Sequence, residues 1–221
     1  MAATDSNTYI LRYFDIVGIA ETARLMLILS GANWIEENPE WPAAKDQQPM
    51  RRLPVLIEKN PAGEVVLELT ESHVIERYLA RKFGFISAEP AAAARHEQLR
   101  DQMVDVQFSP VYAIESEGAA REYFLNKYSS LSECLIKFHT KVLQANGNNG
   151  HYFGDKTSYV DLALYAFLSF LRTLAEDKNM QFAEIFDPEN VPEFANVVDT
   201  VRAEPALQDH IAGKRRRASR L

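Results

Sequence analysis

The first 83 residues switch between strand-like and helix-like patterns in an order that restricts the fold more than any other feature of the chain. Residues 8–14 alternate as a strand does, with Tyr9, Leu11 and Tyr13 on one side. A mostly apolar run at 20–30 is followed by Gly31, which predicts a helix that ends at the glycine. Further patterns predict strands at 33–37, 55–58 and 65–69, a turn at 60–63 and a helix at 72–82.

These segments form a β-α-β unit followed by a β-β-α unit, which is the layout of a thioredoxin-like domain. Within the last predicted helix, Val74, Ile75, Tyr78 and Leu79 share one helical face, as an amphipathic helix on a core requires. We therefore predict a thioredoxin-like α/β domain over residues 1–83.

The composition changes after Gly84, and no β-rich segment follows. Glu89 and Pro90, followed by a run of alanines, predict a linker at 84–93 that leads into a helix. We predict an all-α C-terminal domain over 94–213 and a basic tail at 214–221. Its helices are predicted at 91–116, 119–146, 158–176 and 191–204.

One helix of this second domain carries a strong local signal. Residues 161–174 are apolar on nearly every side, which predicts a helix buried in the core. Ser158 and Asp161 have the spacing of a capping box, in which each side chain pairs with an exposed backbone N–H of the first turn.

Charge and apolar patterning exclude two classes of partner. The chain of 221 residues has a net charge of −7, and five of its 24 basic residues lie in the last eight positions. The remaining chain is therefore strongly acidic and repels phosphate, so nucleic acid is not an expected partner. The longest nearly apolar stretch, 162–171, is too short to span a bilayer, and no membrane association is expected.

Cysteine and histidine usage limits the chemistry. Cys134 is the only cysteine, so no internal disulfide forms, and its place beside Leu131 and Leu135 on a helix predicts a buried position. The five histidines lack metal-ligand spacing, and no metal is expected.

Four short segments contain residues that suit a peptide-like ligand. Tyr13 at the end of the first strand is either a core tyrosine or a phenol whose O–H points at a bound thiol. An X-Pro bond at Leu53–Pro54 can be cis, leaving the Leu53 backbone free to pair with an extended peptide. Glu71 and Ser72 open a helix, where backbone N–H groups bind a carboxylate or serve as an ordinary cap. In the preceding loop, Trp41 and Lys45 are surface residues or hold a second carboxylate.

These segments also resemble a known family. Tyr13-Phe14 with Gly18, Ala20-Glu21 and Arg24-Leu25 is similar to the start of sigma-class glutathione transferases. Trp41-Pro42 with Lys45, Leu53-Pro54-Val55-Leu56 and Glu71-Ser72 with Ile75, Arg77-Tyr78-Leu79-Ala80 have the spacing of that family, and Ser158 to Asp161 matches its capping box. The resemblance covers roughly residues 8–213.

The resemblance implies a homodimeric enzyme that uses glutathione as co-substrate and attacks a small hydrophobic electrophile. Tyr13 is implied to donate a hydrogen bond to the glutathione thiolate. The electrophile site is implied to have an apolar wall of Phe14, Phe108 and Tyr112. The implied glutathione-binding residues are Trp41, Lys45, Arg52, Leu53, Pro54, Glu71 and Ser72, with Asp105 reaching the glutamyl amine across the dimer interface.

The resemblance leaves other functions open. The sigma pattern has arginines at the positions of Val17 and Ile19, which weakens an isomerase-like assignment and leaves Tyr13 with less electrostatic support. Such folds also serve as crystallins, elongation-factor subunits and stress regulators, and a dedicated glutathione-dependent isomerase is a further alternative. A cysteine-based mechanism requires a cysteine near Tyr13, and Cys134 lies far along the chain.

The last three residues, Ser219, Arg220 and Leu221, resemble the Ser-Lys-Leu peroxisome address. The alternative is a solvated tail. The sequence therefore favours either a cytoplasmic or a peroxisomal location.

Overall fold

The structure is a computed structural model, and it describes residues 5–213. The first part of the chain forms a four-stranded sheet with helices packed on it. The elements are β1 (Thr8–Arg12), α1 (Glu21–Ser30), β2 (Asn33–Glu37), β3 (Val55–Lys59), β4 (Val65–Thr70) and α2 (Ser72–Phe83). The strand order is β2-β1-β3-β4, with β2 parallel to β1 and the other pairs antiparallel.

The alternation in β1 places its side chains on two faces of the sheet. Tyr9 and Leu11 are completely buried in the main core. Ile10 faces the other way and packs with Val55 and Ile57 in a small second cluster. On α2, Ile75 and Leu79 are buried, whereas Val74 at the edge of the same predicted face is exposed. The sheet is therefore covered mainly on the side that bears α1 and α2.

The rest of the described chain is helical. The central helix, α5 (Tyr159–Lys178), has buried residues on every side, as its apolar sequence predicts. Its capping box is present, since the Asp161 carboxylate accepts hydrogen bonds from the Ser158 N–H at 2.8 Å and the Ser158 hydroxyl at 2.7 Å. The helices are α3 (Pro90–Ile114), α4 (Gly118–Ala145), α5 (Tyr159–Lys178), α6 (Pro192–Ala203) and α7 (Gln208–Ala212).

The predicted fold class, a thioredoxin-like α/β unit followed by an all-α unit, is confirmed. Between residues 5 and 213, no helix combines the length and apolarity that crossing a membrane requires. The predicted address at Ser219–Leu221 lies outside the described residues.

A buried ion pair joins the two units. Glu76 of α2 accepts hydrogen bonds from Arg100 of α3, with Nε at 2.8 Å and Nη2 at 2.9 Å. The Tyr159 hydroxyl at the start of α5 donates to the same carboxylate at 3.0 Å, and its backbone N–H donates to the Phe85 carbonyl at 2.8 Å. Burial opposes ionisation of Glu76, but the charge of Arg100 holds the pKa of this carboxyl below its usual value.

The prediction that Cys134 is buried is wrong. The buried positions of α4 are Tyr128, Ser132, Leu135, His139 and Leu143, which repeat at helical spacing on one face. Cys134 lies one residue before Leu135, about 100° around the helix, and its side chain is exposed.

Candidate functional site

Strand register brings three of the predicted site segments to one edge of the sheet. Arg12 is paired with Val55, and Val55 is paired with Thr70. Tyr13, Pro54 and Glu71 are the next residues outward on these three neighbouring strands. The Leu53–Pro54 peptide bond is cis, as the sequence allowed. Leu53 takes no part in the loop and turn backbone hydrogen bonds of the described residues, so its N–H and C=O suit pairing with an extended ligand.

Tyr13 is almost fully buried beside this edge. Its side chain is 4% exposed, and its Oη accepts a hydrogen bond from the Ile19 backbone N–H at 3.1 Å. The guanidinium carbon of Arg24 lies 5.4 Å from the centre of the phenol ring. Burial raises the pKa of Tyr13, while the Ile19 N–H and the charge of Arg24 oppose that rise. The phenol is therefore neutral at physiological pH and keeps a proton that it can donate to a ligand.

The loop after β1 approaches Tyr13 so closely that it requires glycine. Gly18 has a φ of +48°, and a Cβ on it would lie 2.4 Å from the Tyr13 Oη. The neighbouring Ile19 N–H points at the same oxygen. A side chain at residue 18 would therefore displace the phenol from its donor.

Aromatic contacts extend from Tyr13 toward the predicted Trp41–Lys45 clamp. The ring centres of Tyr13 and Phe14 are 5.3 Å apart, and those of Phe14 and Trp41 are 5.4 Å apart. The Lys45 Nζ lies 5.8 Å from the Trp41 ring centre, a cation–π distance. The structure thus joins these four predicted residues in one chain of contacts.

The start of α2, two strands away from Tyr13 along the same edge, has the backbone geometry of an anion-binding position. Glu71 has a φ of +67°, and α2 begins at Ser72 with no side chain capping its first turn. The uncapped N–H groups and the helix dipole favour a carboxylate at this position. Arg52 lies nearby, with its Nη1 3.4 Å from the Glu71 Oε1 on the exposed side.

The three remaining predicted residues lie along α3. Asp105 is exposed, Phe108 is half-buried, and Tyr112 is 49% exposed. The ring centres of Phe108 and Tyr112 are 6.4 Å apart. Within residues 5–213, no ring contact joins this pair to Phe14. Their role in a shared electrophile site stays a prediction.

Sequence reasoning missed the importance of Arg24. This buried side chain donates to the carbonyls of Phe14, Ile16 and Val17 at 2.8–3.0 Å. The signal was present, because an arginine within a mostly apolar helix at 20–30 needs buried acceptors. No group of three or more potential metal ligands occurs in the described part of the chain.

Comparisons with known proteins point to one family. Residues 103–214 match the family described as "Glutathione S-transferase, C-terminal domain". Probable glutathione S-transferase 6 of Caenorhabditis elegans is 30% identical over 165 residues, which are 71% of this chain and 76% of that protein. S-crystallin SL11 of Nototodarus sloanii is 24% identical over 210 residues, 92% of this chain and 95% of that one.

A solved structure shares the whole architecture. The monomeric Na-GST-3, a glutathione S-transferase of the hookworm Necator americanus, has a TM-score of 0.70 and 28% identity, covering 94% of this chain and 97% of that one. The chain belongs to the glutathione S-transferase family.

Proposed function

We propose that this protein is a glutathione transferase that activates the thiol of glutathione for attack on a hydrophobic electrophile. The observation that carries the proposal is the register that aligns Tyr13, Pro54 and Glu71 at one sheet edge. Glutathione then lies across this edge, with its cysteinyl backbone on Leu53 and its thiol at Tyr13. Its γ-glutamyl end lies at Glu71 and Ser72, and its glycine end at Trp41, Lys45 and Arg52.

The proposed chemistry needs only a modest change in the thiol. A free thiol with a pKa near 8.5 is only about 3% thiolate at pH 7. Lowering that pKa by about two makes the thiol mostly thiolate, which takes roughly 2.7 kcal/mol. A hydrogen bond to a charged acceptor contributes about 1.5–3 kcal/mol. One neutral phenol, as Tyr13 is here, is therefore of the right magnitude.

The electrophile is proposed to bind against an apolar wall of Phe14, Phe108 and Tyr112. The thiolate sulfur attacks an electron-poor carbon and forms a thioether, while the leaving group or the added proton balances the charge. The aromatic side chains of this wall favour flat, apolar substrates. General conjugation and detoxification follow if many such substrates react, whereas a dedicated isomerase converts one.

The decisive experiment is a pH titration of the ultraviolet absorbance of bound glutathione thiolate. We expect wild type to titrate well below the free thiol and Tyr13→Phe to bind glutathione with a nearly free pKa. Tyr9→Phe is the matched control, because it removes another buried hydroxyl from the same strand, one that contacts Asp5 and Glu58 instead.

Two other outcomes would change the assignment. A wild type that does not bind glutathione contradicts the transferase proposal and favours a non-catalytic role, as the similarity to an S-crystallin allows. A wild type that binds and activates glutathione but converts a single metabolite without net conjugation favours the isomerase alternative. Product analysis by mass spectrometry separates these cases.

The active form is proposed to be a homodimer, in which Asp105 of one subunit reaches the glutamyl amine bound by the other. The thioredoxin-like unit exposes four large apolar side chains that a partner subunit could cover, namely Met50, Val65, Val66 and Val74. A cavity of about 410 Å³ between α3 and α4, lined in part by Leu99, Phe138 and Val142, offers an apolar counterpart.

Light scattering during size-exclusion chromatography tests this assembly. A mass of twice the 25.1 kDa chain is expected, together with a weaker affinity of Asp105→Ala for glutathione. A monomeric mass, as described for the similar hookworm protein, would remove Asp105 from the glutathione site.

The location is proposed to be peroxisomal through Ser219-Arg220-Leu221, with the cytoplasm as the alternative. An amino-terminal fluorescent fusion leaves the tripeptide free. We expect puncta that colocalise with a peroxisomal marker, and diffuse fluorescence after deletion of Leu221. Diffuse fluorescence of the intact fusion would assign the protein to the cytoplasm.

A further inference from the structure

Tyr13 lacks the flanking arginines of the sigma pattern, yet a cation lies beside it. Val17 and Ile19 occupy those flanking positions, and both are apolar. The guanidinium of Arg24, one helical turn into α1, instead lies 5.4 Å from the centre of the Tyr13 ring. It is 2% exposed, so water screens its charge little.

The contacts of Arg24 define the path of the loop that carries the Tyr13 donor. Its Nη1 donates to the carbonyls of Ile16 at 2.8 Å and Val17 at 2.9 Å, and its Nη2 donates to the Phe14 carbonyl at 3.0 Å. The next residues, Gly18 and Ile19, contact Tyr13 directly. The planar fork of donors thus fixes the backbone between the phenol and the N–H that binds it.

Two carboxylates hold the guanidinium in place. Glu21 Oε2 lies 3.1 Å from Nη1, and Glu36 Oε1 lies 2.7 Å from Nε. Burial alone would lower the pKa of Arg24, but these two carboxylates raise it, so the charge is permanent. Glu21 also lies 3.0 Å from the Nε2 of His210 on α7, which links this cluster to the end of the helical unit.

We propose that Arg24 is a positioning residue for Tyr13, which fixes the loop at 14–19 so that the Ile19 N–H polarises the phenol toward the thiolate. A phenol oxygen that accepts a hydrogen bond donates its own proton more strongly, because neighbouring hydrogen bonds polarise one another. This role rests on the proposed glutathione transferase function.

The test compares Arg24→Lys and Arg24→Gln in the pH titration of bound glutathione. Lysine keeps the positive charge, but its single ammonium cannot reach all three carbonyls. Glutamine loses both the charge and the hydrogen bonds to the three carbonyls. We expect the pKa of the bound thiol to rise from wild type to Arg24→Lys and again to Arg24→Gln, by about one in total. Turnover at pH 7 should fall about threefold, because a rise in the thiol pKa from about 6.5 to about 7.5 lowers the thiolate fraction from about 76% to about 24%. KM for glutathione should stay within about twofold.

A matched control uses a neighbouring arginine that is only partly buried. Arg12 pairs with Glu37 at 2.5 Å, one residue before Tyr13, but makes no contact with the 14–19 carbonyls among the described hydrogen bonds. Arg12→Gln should leave the thiol pKa unchanged. Glu36→Gln is a second probe that keeps Arg24 and loosens it, and we expect a smaller rise in the thiol pKa from it.

Each outcome decides the proposal. If folded Arg24 variants bind glutathione and the bound thiol keeps its wild-type pKa, the role of Arg24 is overturned, while the transferase proposal stands. If both Arg24 variants fail to fold, Glu36→Gln decides, and an unchanged thiol pKa overturns the proposal. A wild-type protein that does not lower the thiol pKa overturns the transferase function itself, which distinguishes the two failures.

Discussion

At the residue scale, Gly18 is the position where adding one methyl group should lower turnover. Its positive φ disfavours alanine, and the added Cβ would overlap the Tyr13 hydroxyl. We expect Gly18→Ala to lower turnover by about tenfold or more, since a displacement of about 1 Å at reacting groups has effects of up to 10²-fold. Steady-state kinetics with saturating glutathione measures this loss.

Gly31 supplies the control for that substitution. It also has a positive φ, of +67°, but a Cβ there would have no neighbour within 4 Å. Gly31→Ala should therefore share the backbone strain of about 1–2 kcal/mol without any loss of turnover. Equal effects of the two substitutions on turnover would show that strain, and not contact with Tyr13, is responsible.

His139 should make the fold sensitive to acid. Burial disfavours the imidazolium and lowers the pKa of His139 to about 3, from an ordinary value of 6.5. The unfolded chain therefore binds a proton below pH 6.5 while the folded chain does not, so stability is lost as pH falls from 6.5 toward 3. This one group changes the free energy of unfolding by up to about 1.4 kcal/mol per pH unit.

Urea denaturation at a series of pH values measures that slope. His139→Gln should be less stable at pH 8, because it loses the contact of Nδ1 with the Tyr152 hydroxyl at 2.5 Å. Its stability should fall less steeply below pH 6.5 than that of wild type. Parallel curves for the two proteins would assign the acid sensitivity to other groups.

At the element scale, the start of α5 depends on one carboxylate. Asp161 accepts hydrogen bonds from the backbone N–H groups of Ser158 and Tyr152, both at 2.8 Å, and from the Ser158 hydroxyl. We expect Asp161→Ala to cost about 2–4 kcal/mol, because it leaves two buried N–H groups unpaired. Ser158→Ala should cost about 1 kcal/mol, as the loss of a cap does. Chemical denaturation that ranks the two equally would contradict this division.

Periodic patterns predicted these elements well because the core enforces them. The buried faces of β1, α2 and α5 follow from spacings of two and 3.6 residues, and the capping box follows from two residue types. The exposure of Cys134 and Val74 was harder to predict, since each lies one residue before a buried position of its helix. A step of about 100° decides between core and solvent, and a short apolar run does not fix it.

The site was predicted only where it is local in sequence. Tyr13, Leu53–Pro54 and Glu71–Ser72 each show a signal of their own, and strand register then aligns them. Arg24 was not recognised, because its importance lies in carbonyls at 14–17 that carry no side-chain signature. The close approach of Gly18 to the phenol likewise depends on a loop path that residue types alone do not specify.

At the scale of the whole molecule, the Glu76–Arg100 pair should couple the stability of the two units. Glu76→Gln leaves a buried guanidinium without its counter-charge, and breaking such a pair costs about 3–5 kcal/mol. Arg77→Gln is the control on the same pair of helices, since its contact with Asp101 at 3.5 Å is exposed and contributes about 1 kcal/mol or less.

Thermal unfolding followed by circular dichroism measures both variants. We expect a large loss of Tm for Glu76→Gln and almost none for Arg77→Gln. A single transition should persist in wild type, because the buried tyrosine Tyr159 ties α5 to Glu76 and to the Phe85 carbonyl at once. Two separate transitions in wild type would mean that the units unfold independently.

The outward position of Cys134 has a practical consequence for every experiment that observes a glutathione thiolate. An accessible protein thiol is a second sulfur that can add its own absorbance to the ultraviolet spectrum. As the sole cysteine of the chain, it produces one background signal from one identifiable atom. Replacing it with serine on the solvent side of α4 therefore yields a protein without a thiol of its own, in which every thiol belongs to the ligand.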